Sequence, residues 1–160
     1  MDIFEFAMKM EKDGEYYYRR LVEKTENKGI KTILTMLADE EVKHYKAIEQ
    51  IKTQKPQMAD SAILAKSKNI FEQIKRDDDA LDLDAGQISL YKKAQNIEKQ
   101  SQDFYLLKVA VVHEPDHREL FLKLAEEEKK HYFILQHIID FVSRPQQWLE
   151  NAEFVHLDEY

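Results

Sequence analysis

The chain has 160 residues and a formal net charge of −7; 34% of its residues are charged, 43% are hydrophobic and none is cysteine. The negative charge argues against nucleic acid and anionic membrane surfaces as main partners. The lack of cysteine excludes disulfides, thiolate metal sites and iron–sulfur clusters. The first ten residues hold neither a basic segment nor a long apolar run, so we expect a cytoplasmic protein without a signal peptide or a membrane span.

The chain contains only 3 glycines and 3 prolines, which favours long helices. Asp2 and Glu5 have the spacing of a capping box at the start of the first helix, and Asp84 and Gln87 repeat that spacing later in the chain. Apolar periodicity and the positions of proline predict helices over about residues 2–22, 28–53, 59–76, 84–112 and 115–143.

Two parts of the chain repeat each other at a constant offset of 87 residues. Residues 7–12 (AMKMEK) correspond to residues 94–99 (AQNIEK), and residues 37–45 (LADEEVKHY) correspond to residues 124–132 (LAEEEKKHY). Each half is a helix pair, and two such pairs predict an all-α, antiparallel four-helix bundle. We place the bundle at residues 1–144, with helix pairs at 2–53 and 85–143, a crossover with a short helix at 54–84, and a tail at 145–160 that packs on the bundle or on a partner chain.

Glutamate and histidine interrupt the apolar stripes of the bundle helices. On the bundle helices predicted at about residues 28–53 and 115–143, the stripe begins with apolar residues, continues with a glutamate and a histidine three residues apart, and ends with apolar residues again. The glutamate and the histidine are therefore predicted to point inward. The other two helices each place one glutamate in the same phase. The inward-pointing set is Glu11, Glu41, His44, Glu98, Glu128 and His131.

These six side chains are predicted to hold two metal ions. Glutamate is rarely fully buried without a partner, and four carboxylates in one core would repel each other strongly. Two dications balance the four negative charges, and a glutamate and a histidine three positions apart on a helix can reach the same ion. The combination of two single glutamates and two Glu-x-x-His motifs is the arrangement of di-iron and di-manganese bundles. The alternative is a buried Glu–His network without metal, which would need a hydrogen-bond donor for every carboxylate.

At these residues the chain resembles the rubrerythrin-like branch of the ferritin-like superfamily. The resemblance covers about residues 2–143 and is carried by the glutamates and histidines above and by the residues that follow them, Glu15, Tyr17, Tyr18, Phe104 and Tyr105. It implies an antiparallel bundle with a bridging di-iron site, redox chemistry with dioxygen or hydrogen peroxide, and commonly a homodimer.

The chain departs from the family pattern in two ways. Rubrerythrins carry a rubredoxin-type iron domain built from four cysteines, and because this chain has no cysteine, its electrons are expected to come from a separate protein or a small reductant. The family also places an extra glutamate where this chain has Ser101, so the family's redox-dependent ligand exchange does not carry over. Glu15, one turn after Glu11, is either a seventh ligand or a partly buried residue behind the ligands.

Other residues are candidates for contacts with the ligands or with an oxidant. Tyr18 and Tyr105 either bond a ligand or only pack in the core. Glu40, Glu127 and Asp103 are candidate acceptors for an imidazole N–H. Gln102 is the counterpart of Glu15 in the second half of the repeat and lies in the same helical phase. His137 is expected at the surface. Residues 113–117 (HEPDH) match the zinc-protease pattern H-E-x-x-H, but the proline and the turn between helices argue against that function.

The favoured function is a di-iron oxidoreductase that reduces hydrogen peroxide or dioxygen and so protects against oxidative stress. A ferroxidase that stores iron, as ferritins do, shares the site but requires a hollow shell. A binding bundle that metals only stabilise is a third alternative and predicts a redox-inactive metal such as zinc. Manganese with catalase-like chemistry also remains open, because carboxylates and imidazoles accept either metal.

Overall fold

The computed structural model describes residues 2–51, 61–77 and 87–143, which form five α-helices. These are α1 (Ile3–Lys24), α2 (Lys28–Gln50), α3 (Ile63–Asp77), α4 (Ile88–Val109) and α5 (Pro115–Ser143). No strand is present in these three ranges, so the predicted all-α class is confirmed. None of the described helices has both the length and the apolar character that a membrane crossing requires. The predicted tail at 145–160 and the predicted Asp84 cap lie outside the described residues.

Side-chain caps explain where the first two helices begin. The Asp2 carboxylate accepts a hydrogen bond from the backbone N–H of Glu5 at 2.8 Å, as the capping-box spacing predicts. Asn27 accepts one from the backbone N–H of Ile30 at 3.1 Å and caps α2 in the same way. Only a short link therefore separates α1 from α2, and the two helices run antiparallel as neighbours.

The side chain of Gln87 joins α4 to the other helix pair. The structure describes α4 from Ile88, with Gln87 before it, whereas the predicted start at residue 84 lies outside the described residues. Gln87 makes no capping bond and instead donates a hydrogen bond to the backbone carbonyl of Lys24 at the end of α1. This bond ties the start of α4 to the end of α1.

The helices pair as the internal repeat predicts, α1 with α2 and α4 with α5. α1 and α4 are antiparallel, because Tyr18 of α1 bonds to Glu98 of α4 while Tyr105 of α4 bonds to Glu11 of α1. α3 lies across α2 and α5 and covers that face of the bundle. Its close approach depends on Gly29, where an added Cβ would lie 2.5 Å from the side chain of Ile74.

The apolar core is divided into two clusters. One cluster contains Leu37 and Tyr18, and the other contains their repeat counterparts Leu124 and Tyr105. Because each residue and its repeat counterpart lie in opposite clusters, the two helix pairs are related by an approximate twofold axis. The buried glutamates and histidines occupy the layer between the clusters, so apolar side chains shield them from water on both sides.

His137 does not lie at the surface as predicted. It is 4% exposed, and its ring centroid is 6.2 Å from that of Phe71 on α3. The prediction was wrong because the sequence names no partner for His137, whereas in the structure α3 packs over this part of α5.

Candidate metal centre

The structure brings all six sequence-predicted ligands together in the polar layer. Each is at most 3% exposed, and they come from α1, α2, α4 and α5. Their ligand atoms form two groups in which every atom lies within 4.8 Å of the others. Glu41 and Glu128 belong to both groups, whereas Glu11 with His44 belongs to one and Glu98 with His131 to the other.

Each histidine faces two carboxylates through its Nδ1 atom. His44 Nδ1 lies 3.3 Å from Glu11 Oε2 and 3.1 Å from Glu128 Oε1. His131 Nδ1 lies 3.3 Å from Glu41 Oε1 and 3.4 Å from an oxygen of Glu98. The two imidazole rings are stacked with 5.6 Å between their centroids and an interplanar angle of 8°. The arrangement therefore follows the twofold relation of the helix pairs.

The four carboxyl groups differ in pKa according to the helix that carries them. Burial and the charges of Glu11 and Glu98 raise the pKa of Glu41 well above its ordinary value. Burial and the charges of Glu41 and Glu98 raise the pKa of Glu128 in the same way. In the metal-free protein these two groups therefore keep their protons to a higher pH than an ordinary glutamate does.

The carboxyl groups of α1 and α4 behave in the opposite way. Burial raises the pKa of Glu11, but the charge of His44 and polar contacts with neighbouring side chains outweigh burial and lower it to about 2. Burial likewise raises the pKa of Glu98, and polar contacts with Glu128 and His131 outweigh it and lower that pKa. Burial lowers the pKa of His44, yet the charge of Glu11 outweighs it and raises that pKa. The metal-free centre therefore reduces its internal repulsion by holding protons.

Several buried polar atoms of the centre make no hydrogen bond of suitable geometry in the part of the chain that the structure describes, although Glu11 Oε2 and Glu41 Oε1 each lie 3.3 Å from a histidine nitrogen. They are Glu11 Oε2, Glu41 Oε1, Glu98 Oε2 and both ring nitrogens of His131. Nor does any lysine or arginine of that part form an ion pair with the six residues. Orphaned oxygens and imidazole nitrogens are the donors that iron, manganese and zinc accept, so the residues fit a pair of dications.

Two tyrosines bond across the bundle to the outer glutamates. The hydroxyl of Tyr18 donates to Glu98 Oε1, and the hydroxyl of Tyr105 donates to Glu11 Oε1 at 2.5 Å. Both tyrosines are buried, and burial followed by the charge of the bonded glutamate raises the pKa of each well above 10. They therefore remain protonated donors at neutral pH and fix the orientation of the two carboxylates.

A second polar group lies behind the histidines. Glu40 and Glu127 are buried, and Ser61 joins them through a hydrogen bond from its hydroxyl to Glu40 and one from its backbone N–H to Glu127 Oε1 at 3.1 Å. Lys130 also contacts Glu127 Oε1, at 3.2 Å. Sequence reasoning missed Ser61, because the crossover segment has no counterpart in the repeat.

The remaining candidates lie at the edge of the centre or away from it. Glu15 is half-buried and accepts hydrogen bonds from Arg19 at 3.0 and 3.2 Å, and it belongs to neither ligand group. Gln102 is half-buried, and Asp103 is exposed and pairs with Lys99. The HEPDH segment is divided by the start of α5 at residue 115, so its two histidines do not share a helix.

Gly14 provides space for one of the central carboxylates. A Cβ added at Gly14 would lie 3.0 Å from Glu41 Oε2 and 3.3 Å from its Cδ, tighter than nearly all real Cβ contacts. A side chain at this position would therefore require the Glu41 carboxylate to move by a few tenths of an ångström. The sequence pattern shows this glycine one turn after Glu11 but not what it faces.

Comparison with known proteins agrees with this fold. The chain matches the family described as Rubrerythrin over residues 2–139. Among solved structures it is similar to a hypothetical protein from Pyrococcus furiosus, with 20% sequence identity, 89% of each chain covered and a TM-score of 0.65; at this identity the likeness shows the fold alone. No curated protein gives a significant match. Since the family match spans nearly the whole described bundle, the chain belongs to the rubrerythrin family.

Proposed function

We propose that the chain is a dinuclear metal oxidoreductase, with iron as the metal, that reduces hydrogen peroxide or dioxygen. The observation that supports this most is the convergence of four buried carboxylates and two imidazoles, several with orphaned donor atoms. Membership of the rubrerythrin family favours iron over manganese or zinc, which the same donors also accept.

In this proposal the six residues hold the two ions in a shared arrangement. Glu41 and Glu128 serve both positions, Glu11 and His44 complete one, and Glu98 and His131 complete the other. A ferrous pair held by these residues would supply the two electrons that reduction of the oxidant requires. The contribution of the protein is to orient the donors and to keep bulk water out of the layer between the two apolar clusters.

Protons are held at defined atoms of the chain. Binding of the dications requires Glu41 and Glu128 to be ionised, and their raised pKa values oppose that ionisation in the metal-free state, so metal binding competes with protons at these two groups. The hydroxyls of Tyr18 and Tyr105 stay protonated and donate to the outer carboxylates. Reduction of peroxide to water also consumes two protons and two electrons per turnover. We propose a separate electron donor, because these 160 residues contain no cysteine to hold a thiolate iron site.

The first test is the metal content of protein purified from iron-replete cells, followed by separate mixing of the reduced protein with peroxide and with dioxygen. We expect two irons per chain and oxidation by peroxide within seconds. Zinc alone, or no metal in a folded protein, would contradict the proposal and favour a binding bundle. Size-exclusion chromatography would also show whether the chain forms the expected homodimer or a shell, and a shell would favour iron storage.

A further inference from the structure

A cavity of about 590 Å³ opens between α2 and the start of α3 and reaches the proposed metal centre. Its walls include His44, a candidate ligand, together with Glu40, Glu127 and Ser61. Because each of the six candidate ligands is at most 3% exposed, an ion from solvent needs a route inward, and this cavity leads directly to one of them.

The inner end of the cavity carries two carboxylates whose hydrogen bonding is incomplete. Glu40 is 8% exposed and Glu127 is 4% exposed, and Ser61 holds the two carboxylates together. Glu127 Oε2 is buried and has no hydrogen-bond partner among the described residues. A carboxylate oxygen of Glu127 and ring nitrogens of His44 and His131 lie within 4.8 Å of one another, a spacing that a metal ion could bridge.

The lysines around the cavity differ in how strongly they offset the negative charge of Glu40 and Glu127. Lys43 lies 3.7 Å from Glu40, but its side chain is 72% exposed, so solvent screens its charge. Lys46 and Lys66 at the rim are also exposed. Lys130 is different, because its side chain is only 12% exposed and its ammonium lies 3.2 Å from Glu127 Oε1, where it competes with any cation.

We propose that Glu127 and Glu40 form an entry site that captures a divalent metal ion and passes it to the histidines of the dinuclear centre. The carboxylates replace part of the hydration shell of the ion before it reaches the buried layer. Because a carboxylate oxygen of Glu127 lies within 4.8 Å of ring nitrogens of both histidines, the ion can move inward without crossing an apolar cluster. This inference rests on the proposed metal pair, and it adds a role for residues outside the six ligands.

The test is the rate at which Co²⁺ loads the metal-free protein, followed by cobalt absorption in a stopped-flow instrument. Glu127→Gln and Glu40→Gln should each slow loading about tenfold or more, because the anionic site that concentrates the ion is weakened. Lys130→Met should speed loading, because it removes the competing ammonium. Glu119→Gln, an exposed glutamate on the same helix as Glu127, is the matched control and should load at the wild-type rate.

The equilibrium affinity for cobalt distinguishes a role of Glu127 and Glu40 in capturing the ion from a role in positioning the histidines. A capture site predicts that the glutamine variants still bind two cobalt ions per chain with an unchanged dissociation constant. A wild-type loading rate in both glutamine variants would overturn the proposal while leaving the metal pair intact. The proposal would also be overturned if the glutamine variants lost as much affinity for cobalt as they lost loading rate. That result would mean that Glu127 positions the imidazoles and does not capture the ion. A wild-type protein that bound no ions would overturn the proposed function and this inference together.

Discussion

The stability of the metal-free protein should fall as the pH rises, because two buried carboxyl groups hold protons in the folded state. The pKa values of Glu41 and Glu128 are raised well above 4.5, whereas in the unfolded chain both groups ionise near 4.5. The folded state therefore binds more protons, so this stability is fully present below the unfolded pKa and is lost as the pH rises through the folded pKa. Each carboxyl contributes a slope of up to about 1.4 kcal/mol per pH unit, and the two together up to about 2.7 kcal/mol per pH unit.

Urea unfolding of the metal-free protein between about pH 5 and about pH 6 measures this slope. Glu11 and Glu98, whose pKa values are lowered, contribute only below 4.5, and the raised pKa of His44 contributes above 6.5. A variant with glutamine at positions 41 and 128 should lose most of the slope and be more stable than the wild type at neutral pH. Glutamine at positions 49 and 119, exposed glutamates on the same two helices, is the control. A wild-type stability that stayed flat or rose over this interval would refute the proposed proton occupancy.

Three further substitutions test separate parts of the centre. Glu128→Ala should abolish binding of at least one ion and lower the melting temperature of the metal-loaded protein; retention of two ions per chain by elemental analysis would disprove its assignment as a ligand. Tyr105→Phe leaves the buried Glu11 carboxylate without its tyrosine donor and should cost about 1–3 kcal/mol in urea unfolding of the metal-free protein. Gly14→Ala improves helix propensity by about 1 kcal/mol but crowds Glu41, so titration calorimetry with Mn²⁺ should show roughly tenfold weaker binding without lower metal-free stability.

The sequence alone was sufficient to predict the helices and the residues of the polar layer. Helical periodicity is a local property, and Glu41 and His44 lie in phase with the apolar residues on both sides of them. The constant repeat offset then relates these residues to Glu128 and His131. The structure places all of them in one buried layer, although their role as ligands remains a prediction.

What the sequence could not predict depends on how the crossover packs. α3 covers one face of the bundle, buries His137 against Phe71, and brings Ser61 between Glu40 and Glu127. No periodic signal reports these contacts, because a helix pattern shows which face is apolar but not which segment covers it. The hydrogen bond from Gln87 to the end of α1 is a contact of the same kind, because an interaction between the two helix pairs leaves no periodic signal in the sequence.

The approximate twofold symmetry of the centre gives the two proposed metal positions equivalent ligands. Any difference between the two positions must therefore come from the residues that surround the ligands. Each position has the same donor set, and each outer glutamate accepts one tyrosine hydroxyl. The symmetry fails outside that set. His44 lines the crossover cavity and His131 does not, although both are buried. Gly14 beside Glu41 corresponds in the repeat to Ser101. An ion that enters through the cavity therefore meets the His44 position first, and under the entry proposal the two positions should fill in sequence.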